Sequence, residues 1–107
     1  MKENKVEKQR YEVIGTLNNN GVVAKDELNK EVILLGKGIG FKRKAGDVIE
    51  NPGKNIKCYS LEKNTGKNVL QGVDPIFLEI ANEIIRYAEK EFGDIDTKIL
   101  LPLADHI

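Results

Sequence analysis

The residues with the most chemistry to offer lie together, in Gly36-Lys37-Gly38-Ile39-Gly40-Phe41-Lys42-Arg43-Lys44. Three glycines alternate with Lys37, Ile39 and Phe41. An extended backbone here would have one nearly bare face, which another molecule can approach closely. The opposite face would carry a cation, an aliphatic group and an aromatic ring, with three more cations just beyond. Cations suit phosphates, and an exposed ring suits an unpaired base, so the segment fits looped or single-stranded RNA. The competing reading is a glycine-rich turn with Phe41 in the core and a solvated Lys-Arg-Lys run. A nucleotide-binding loop fits poorly. The spacing is GxGxG and not GxGxxG, Gly-Lys is not followed by Ser or Thr, and no helix start follows to receive phosphate.

Three amides in a row, Asn18-Asn19-Asn20, exceed what a two-residue turn requires. An Asn outside the turn offers both a donor and an acceptor to a base edge. His106 is the single histidine. With Asp105 beside it, it suits a phosphate acceptor or a general base, and equally an exposed structural role. The single cysteine, Cys58, lies 48 residues from His106 with no second pair, so neither a metal site nor a nucleophile–base pair is indicated. No catalytic residue, metal or cofactor is expected.

These residues need elements to position them. Residues 11–17, YEVIGTL, read as a strand, and the Asn-Gly at 20–21 before Val22-Val23 predicts a type I′ hairpin. Val32-Ile33-Leu34-Leu35, four apolar residues between polar flanks, predicts a strand buried on both faces. Residues 45–56 hold Gly46, Pro52 and Gly53 and read as a loop. Residues 57–61 read as a fourth strand and 62–72 as linker. The period then changes from two to about 3.6. Asp74-Pro75 is a helix start and Gly93 its end, with Phe77, Ile80, Ile84, Tyr87 and Ala88 on one face and Glu79, Glu83, Arg86 and Glu89 opposite. A second helix starts near Pro102, with Ile99, Leu100, Leu101, Leu103 and Ile107 left without a partner, so this module reads as cut short.

The fold class expected is therefore α+β: a small four-stranded antiparallel sheet, then a linker, then the first helices of an all-α domain. A sheet of about 50 residues buries little surface by itself, so a second copy covering one face, a homodimer, is expected. The 107 residues are 40% hydrophobic and 32% charged, ordinary values for a soluble chain. The net charge of zero hides an asymmetry, +4 over residues 1–46 and −4 over 47–107. The basic half suits nucleic acid and the acidic half a different partner. No apolar run is long enough to cross a membrane, and the charged start, MKENKVEKQR, lacks the apolar segment of a secretory signal. With one cysteine, a reducing cytoplasm is the simpler location.

Taken together, LNNNGVV, EVILLGKGIGFKRKAGDVI and LADHI resemble the BglG/SacY-type transcriptional antiterminator family, and the GKGIGF segment is most similar to its glucose-responsive branch. The resemblance implies a charged extension at 1–10, a co-antiterminator RNA-binding domain at 11–62, a linker at 63–73 and the start of the first phosphotransferase-system regulation domain at 74–107. Family members dimerise through the small sheet and bind a leader-mRNA hairpin, preventing an overlapping terminator in a sugar-utilisation operon. Carried over by position, the RNA contacts are Asn20, Gly36, Lys37, Phe41 and Lys42. Relatives often have Arg at Lys37; Lys keeps the charge without the planar fork. His106 matches a histidine phosphorylated by phosphotransferase-system proteins, the phosphodonors of the full-length protein. The alternative is a small β-sheet protein-interaction module that does not bind nucleic acid.

Overall fold

The computed structural model describes residues 9–107; most of the charged extension at 1–10 lies outside the described residues. Five strands form one antiparallel sheet: β1 (Arg10–Asn18), β2 (Gly21–Lys25), β3 (Glu31–Leu35), β4 (Val48–Glu50) and β5 (Lys57–Ser60), in the order β4-β1-β2-β3-β5. β4 is the strand the sequence reading missed. Only three residues long, it pairs Tyr11 with Ile49 at the outer edge of β1, too short between Gly46 and Pro52 to show an alternating pattern.

The central strands behave as their apolar runs require. In β2 and β3 every residue from Val22 to Ala24 and from Val32 to Leu35 is buried, because both faces of the sheet are covered. One face carries Tyr11, Val13, Val22, Ala24, Val32, Leu34 and Ile49, closed over by Ile39 and Ile56 from the long connections. The other carries Val23, Ile33, Leu35 and Tyr59 and is closed by the helices. Neither face is left bare for a second copy within the described residues.

The stretch expected as linker contains helix α1 (Gly66–Gly72). Val69 is buried in it, and Gly66 donates its N–H to the Glu31 carboxylate at 2.6 Å, which ties the helix start to β3. The long helix α2 (Pro75–Phe92) runs as the sequence indicates, with Asp74 capping Ile76 N–H at 3.0 Å and Gly93 donating back to Glu89. Its inward face is not the expected one. Leu78, Ala81, Asn82 and Ile85 are buried, whereas Phe77, Ile80, Ile84 and Tyr87 are 39–67% exposed. The reason is what the sheet presents. Tyr59 is fully buried and donates its hydroxyl to Asn82 Oδ1, and Lys57 Nζ pairs with Glu89 at 2.8 Å. Only the helix face carrying Asn82 between Glu79 and Glu89 satisfies those groups. Apolar burial supplies the energy: Leu78 and Ile85 are each worth about 1.5–3 kcal/mol. The Lys57–Glu89 pair retains about a quarter of its side-chain exposure and adds at most about 1 kcal/mol.

A single 3-10 turn at Thr97–Ile99 leads into α3 (Leu100–Asp105). Leu100 and Ala104 join the same core as Val23 and Ile33, with Leu101 and Leu103 packed against it. These residues find their partner in α2 and the core it shares with the sheet, contrary to the expectation that they lie uncovered; Ile99 and Ile107 remain 43% and 46% exposed.

Candidate nucleic-acid interface

The Asn triplet turns the chain in an unexpected way. The loop residues are Asn19 and Asn20, because Asn18 pairs with Gly21 across the hairpin. Neither Asn19 nor Asn20 has positive φ, so the turn is not type I′. Asn18 replaces that geometry with its own side chain, whose Oδ1 accepts from Asn20 N–H at 2.9 Å, an Asx turn.

The glycine segment docks on this turn. Gly36 N–H donates to the Asn20 carbonyl at 3.0 Å and Gly40 N–H to the Asn19 carbonyl at 2.9 Å. Gly38 N–H donates to Asn20 Oδ1 at 2.9 Å. The segment is not extended. It coils through successive turns, Ile39 N–H to Gly36, Phe41 N–H to Gly38 and Arg43 N–H to Gly40. Two glycines are dictated by this docking. A Cβ at Gly40 would lie 2.0 Å from the Asn18 carbonyl oxygen, and Gly38 has φ +81°.

Coiling sorts the side chains. Ile39 turns inward and is 6% exposed, so it does not share a face with Lys37 and Phe41 as an extended segment would require. Phe41 is 57% exposed, which removes the reading of it as a core residue. Lys42, itself at φ +57°, holds its ammonium 5.4 Å from the Phe41 ring centroid, a cation–π contact. The Arg43 carbonyl accepts from the Thr16 hydroxyl at 2.9 Å, anchoring the loop's far end to β1. Farther along, Lys44 N–H bonds Asp47 Oδ2 at 3.0 Å and holds that carboxyl below its usual range as the chain turns back to β4.

Asn20, Gly36 and Lys37 line one cleft, whose other wall is Glu79, Asn82 and Glu83 of α2. Phe41 and Lys42 sit farther along the same loop. His106, exposed at the end of α3, shares no contact with this group; its N–H bonds the Leu103 carbonyl at 3.1 Å. Among the described residues no cluster of His, Cys, Asp or Glu could hold a metal ion, and no helix is long and apolar enough to cross a membrane.

The family model for the CAT RNA-binding domain matches residues 11–68, more than half of the chain, and covers the sheet and the docked loop together. The chain belongs to the CAT RNA-binding family. This is the antiterminator family that its motifs resemble. Protein GlcT of Staphylococcus aureus strain bovine RF122 / ET3-1 is 35% identical over 103 residues, which is 91% of this chain and 36% of that protein. Protein GlcT of strain JH9 matches to the same extent. The chain therefore spans about a third of the length of these curated relatives. A solved structure, the crystal structure of GlcT CAT-PRDI, superposes with a TM-score of 0.70 at 33% identity, covering 91% of this chain and 60% of that one. The CAT match includes Asn20, Gly36, Lys37, Phe41 and Lys42. Asn18 and Gly40 belong with them structurally, the first by shaping the turn and the second by permitting the docking. Their signal was in the sequence, in the triplet and the glycine repeat. Glu79 had none, being 59 residues from its partner Asn20.

Proposed function

We propose that this chain is the RNA-binding end of a transcriptional antiterminator, stabilising a leader-mRNA hairpin that prevents terminator formation in a sugar-utilisation operon. The observation that carries the reading is the glycine loop docked on the Asn turn, with Phe41 exposed and Lys37 and Lys42 on the same loop. Phe41 stacks on an unpaired base, the two lysines meet phosphates, and Gly36 with Asn20 approaches the RNA through backbone and amide. The protein works by binding and not by catalysis, in the cytoplasm where the messenger is made. Curated relatives similar over 91% of the chain carry the name Protein GlcT, which supports a place in one branch with them.

In this reading residues 11–62 bind RNA, 63–73 connect, and 74–107 open the phosphotransferase-system regulation domain, where His106 accepts phosphate from phosphotransferase-system proteins. A homodimer belongs to the proposal. The exposed row Phe77, Ile80, Ile84 and Tyr87 on α2 is an apolar surface that a second copy would cover. Sedimentation equilibrium at micromolar concentration should then give twice the monomer mass. The decisive test of function is transcription in vitro through a leader that carries the hairpin overlapping a terminator. Read-through should rise with added protein and fail with Phe41→Ala. Termination unchanged by the wild-type chain overturns the reading.

A further inference from the structure

The cleft that holds three of the five RNA-contact residues is already occupied by part of the same chain. Glu79, on the first turns of α2, reaches across and accepts from both neighbouring amides: Asn18 Nδ2 donates to Oε2 at 2.5 Å and Asn20 Nδ2 to Oε1 at 3.2 Å. The other polar ends of those side chains are committed elsewhere. Asn18 Oδ1 holds the turn and Asn20 Oδ1 holds Gly38 N–H. The NH2 groups are thus what Asn18 and Asn20 have left to offer an incoming molecule, and one carboxylate takes both. Its negative charge sits beside Lys37 and Gly36 in the same cleft, with Glu83 on the same wall.

A pair of adjacent amide donors recognises a group with two neighbouring acceptors. A carboxylate is such a group; so are the free oxygens of a phosphodiester and the O6/N7 edge of guanine. We propose that Glu79 is an internal competitor for RNA. It stands in the acceptor subsite formed by the Asn18 and Asn20 amides, and RNA must displace it to bind. The proposal rests on the RNA-binding reading above and adds to it a further contact residue, Asn18, and a latch. The latch does not hold the helix on the sheet. Leu78, Ile85, the Tyr59–Asn82 hydrogen bond and the Lys57–Glu89 pair do that, so the Glu79 side chain can swing out while α2 stays in place. The basic first half and acidic second half of the chain acquire a purpose in the same contact. The second half supplies the anion that the first half is built to receive.

The test measures affinity of the whole chain for a leader hairpin at one fixed, low salt concentration. Four proteins are compared: wild type, Glu79→Ala, Glu79→Gln and Glu83→Ala. Removing any carboxylate near RNA strengthens binding somewhat through charge alone, and Glu83→Ala measures that background in the same cleft, expected within about threefold of wild type. Glu79→Ala, which frees both amides, should bind about tenfold or more tightly than wild type. Glu79→Gln keeps the side-chain volume and one acceptor oxygen and should fall between. It also guards against loosened packing in the alanine variant. If both Glu79 variants match Glu83→Ala, or bind more weakly than wild type, Glu79 merely braces the turn and the latch is overturned. If no protein in the set binds the hairpin, the RNA-binding reading itself fails, and the latch with it.

Discussion

Replacing Phe41 by alanine separates binding from folding. Full burial of a phenylalanine side chain is worth about 1.5–3 kcal/mol, and truncating a half-exposed one leaves no closed cavity to add to that. Phe41 keeps 57% of its surface in water, so less than half of that burial exists to lose. The loss expected is about 1 kcal/mol, including the weak Lys42 contact over the ring, which lowers the melting temperature by about 4–8 °C for a chain of this size. RNA affinity should suffer more. A base stacked on an aromatic ring is worth about 1–3 kcal/mol, which raises Kd roughly 5- to 140-fold. The pair of assays is a thermal melt of the free protein and a gel-shift titration with a leader hairpin at fixed salt. A melting temperature that collapses well beyond that range with unchanged RNA affinity would refute the argument, since it would show Phe41 working for the fold alone.

Gly40→Ala should damage both fold and binding, because the new Cβ meets the Asn18 carbonyl oxygen at 2.0 Å and forces the loop off the turn. Gly38→Ala has open space and bears only the left-handed backbone cost of about 1–2 kcal/mol, so it should be the milder variant in melts and RNA titrations, and the reverse order would contradict the docking. Stability should fall in alkali. Burial, helped by the neighbouring Cys58 thiol, raises Tyr11 from 10.0 to about 12, and burial raises Cys58 above 9.0 and Tyr59 above 10.0. The unfolded chain then releases these protons first, so stability holds below about pH 9 and declines as pH climbs from there through the folded values; a urea midpoint as high at about pH 10.5 as at about pH 8 would count against it. His106→Asp should change the RNA affinity of this chain by less than about threefold, since His106 is exposed and makes no contact with the docked loop, and a tenfold loss would show that α3 transmits its charge to that loop.

Much of this arrangement is legible in the sequence, and the failures have physical causes. Asp74-Pro75 and Gly93 bracket α2 because caps are local chemistry. The run Val32 to Leu35 announces a strand covered on both faces, as it is. The turn departs from the expected type I′ because Asn18 supplies a side-chain hydrogen bond that stands in for positive φ. The glycine segment reads as extended in one dimension, and its coiling is imposed by three hydrogen bonds from a turn about 18 residues earlier in the chain. The apolar residues of α2 taken alone point the face with Phe77, Ile80, Ile84 and Tyr87 inward. The sheet chose the other face because Tyr59 and Lys57 needed Asn82 and Glu89. Polar satisfaction overrode the larger apolar stripe, and nothing within a helix-length window reports it.

In the proposed function the loop at Gly36–Lys44 meets RNA through cations and an exposed ring. The most direct measurement is the affinity of the whole chain for a leader hairpin as a function of salt. With Lys37, Lys42, Arg43 and Lys44 facing phosphates, the logarithm of affinity should fall linearly with the logarithm of salt concentration, with a slope of about −2 to −4. Lys37→Ala should make the slope shallower by about one. No binding at low salt, or an affinity indifferent to salt, would contradict the account and leave a protein-interaction module as the better description of this sheet.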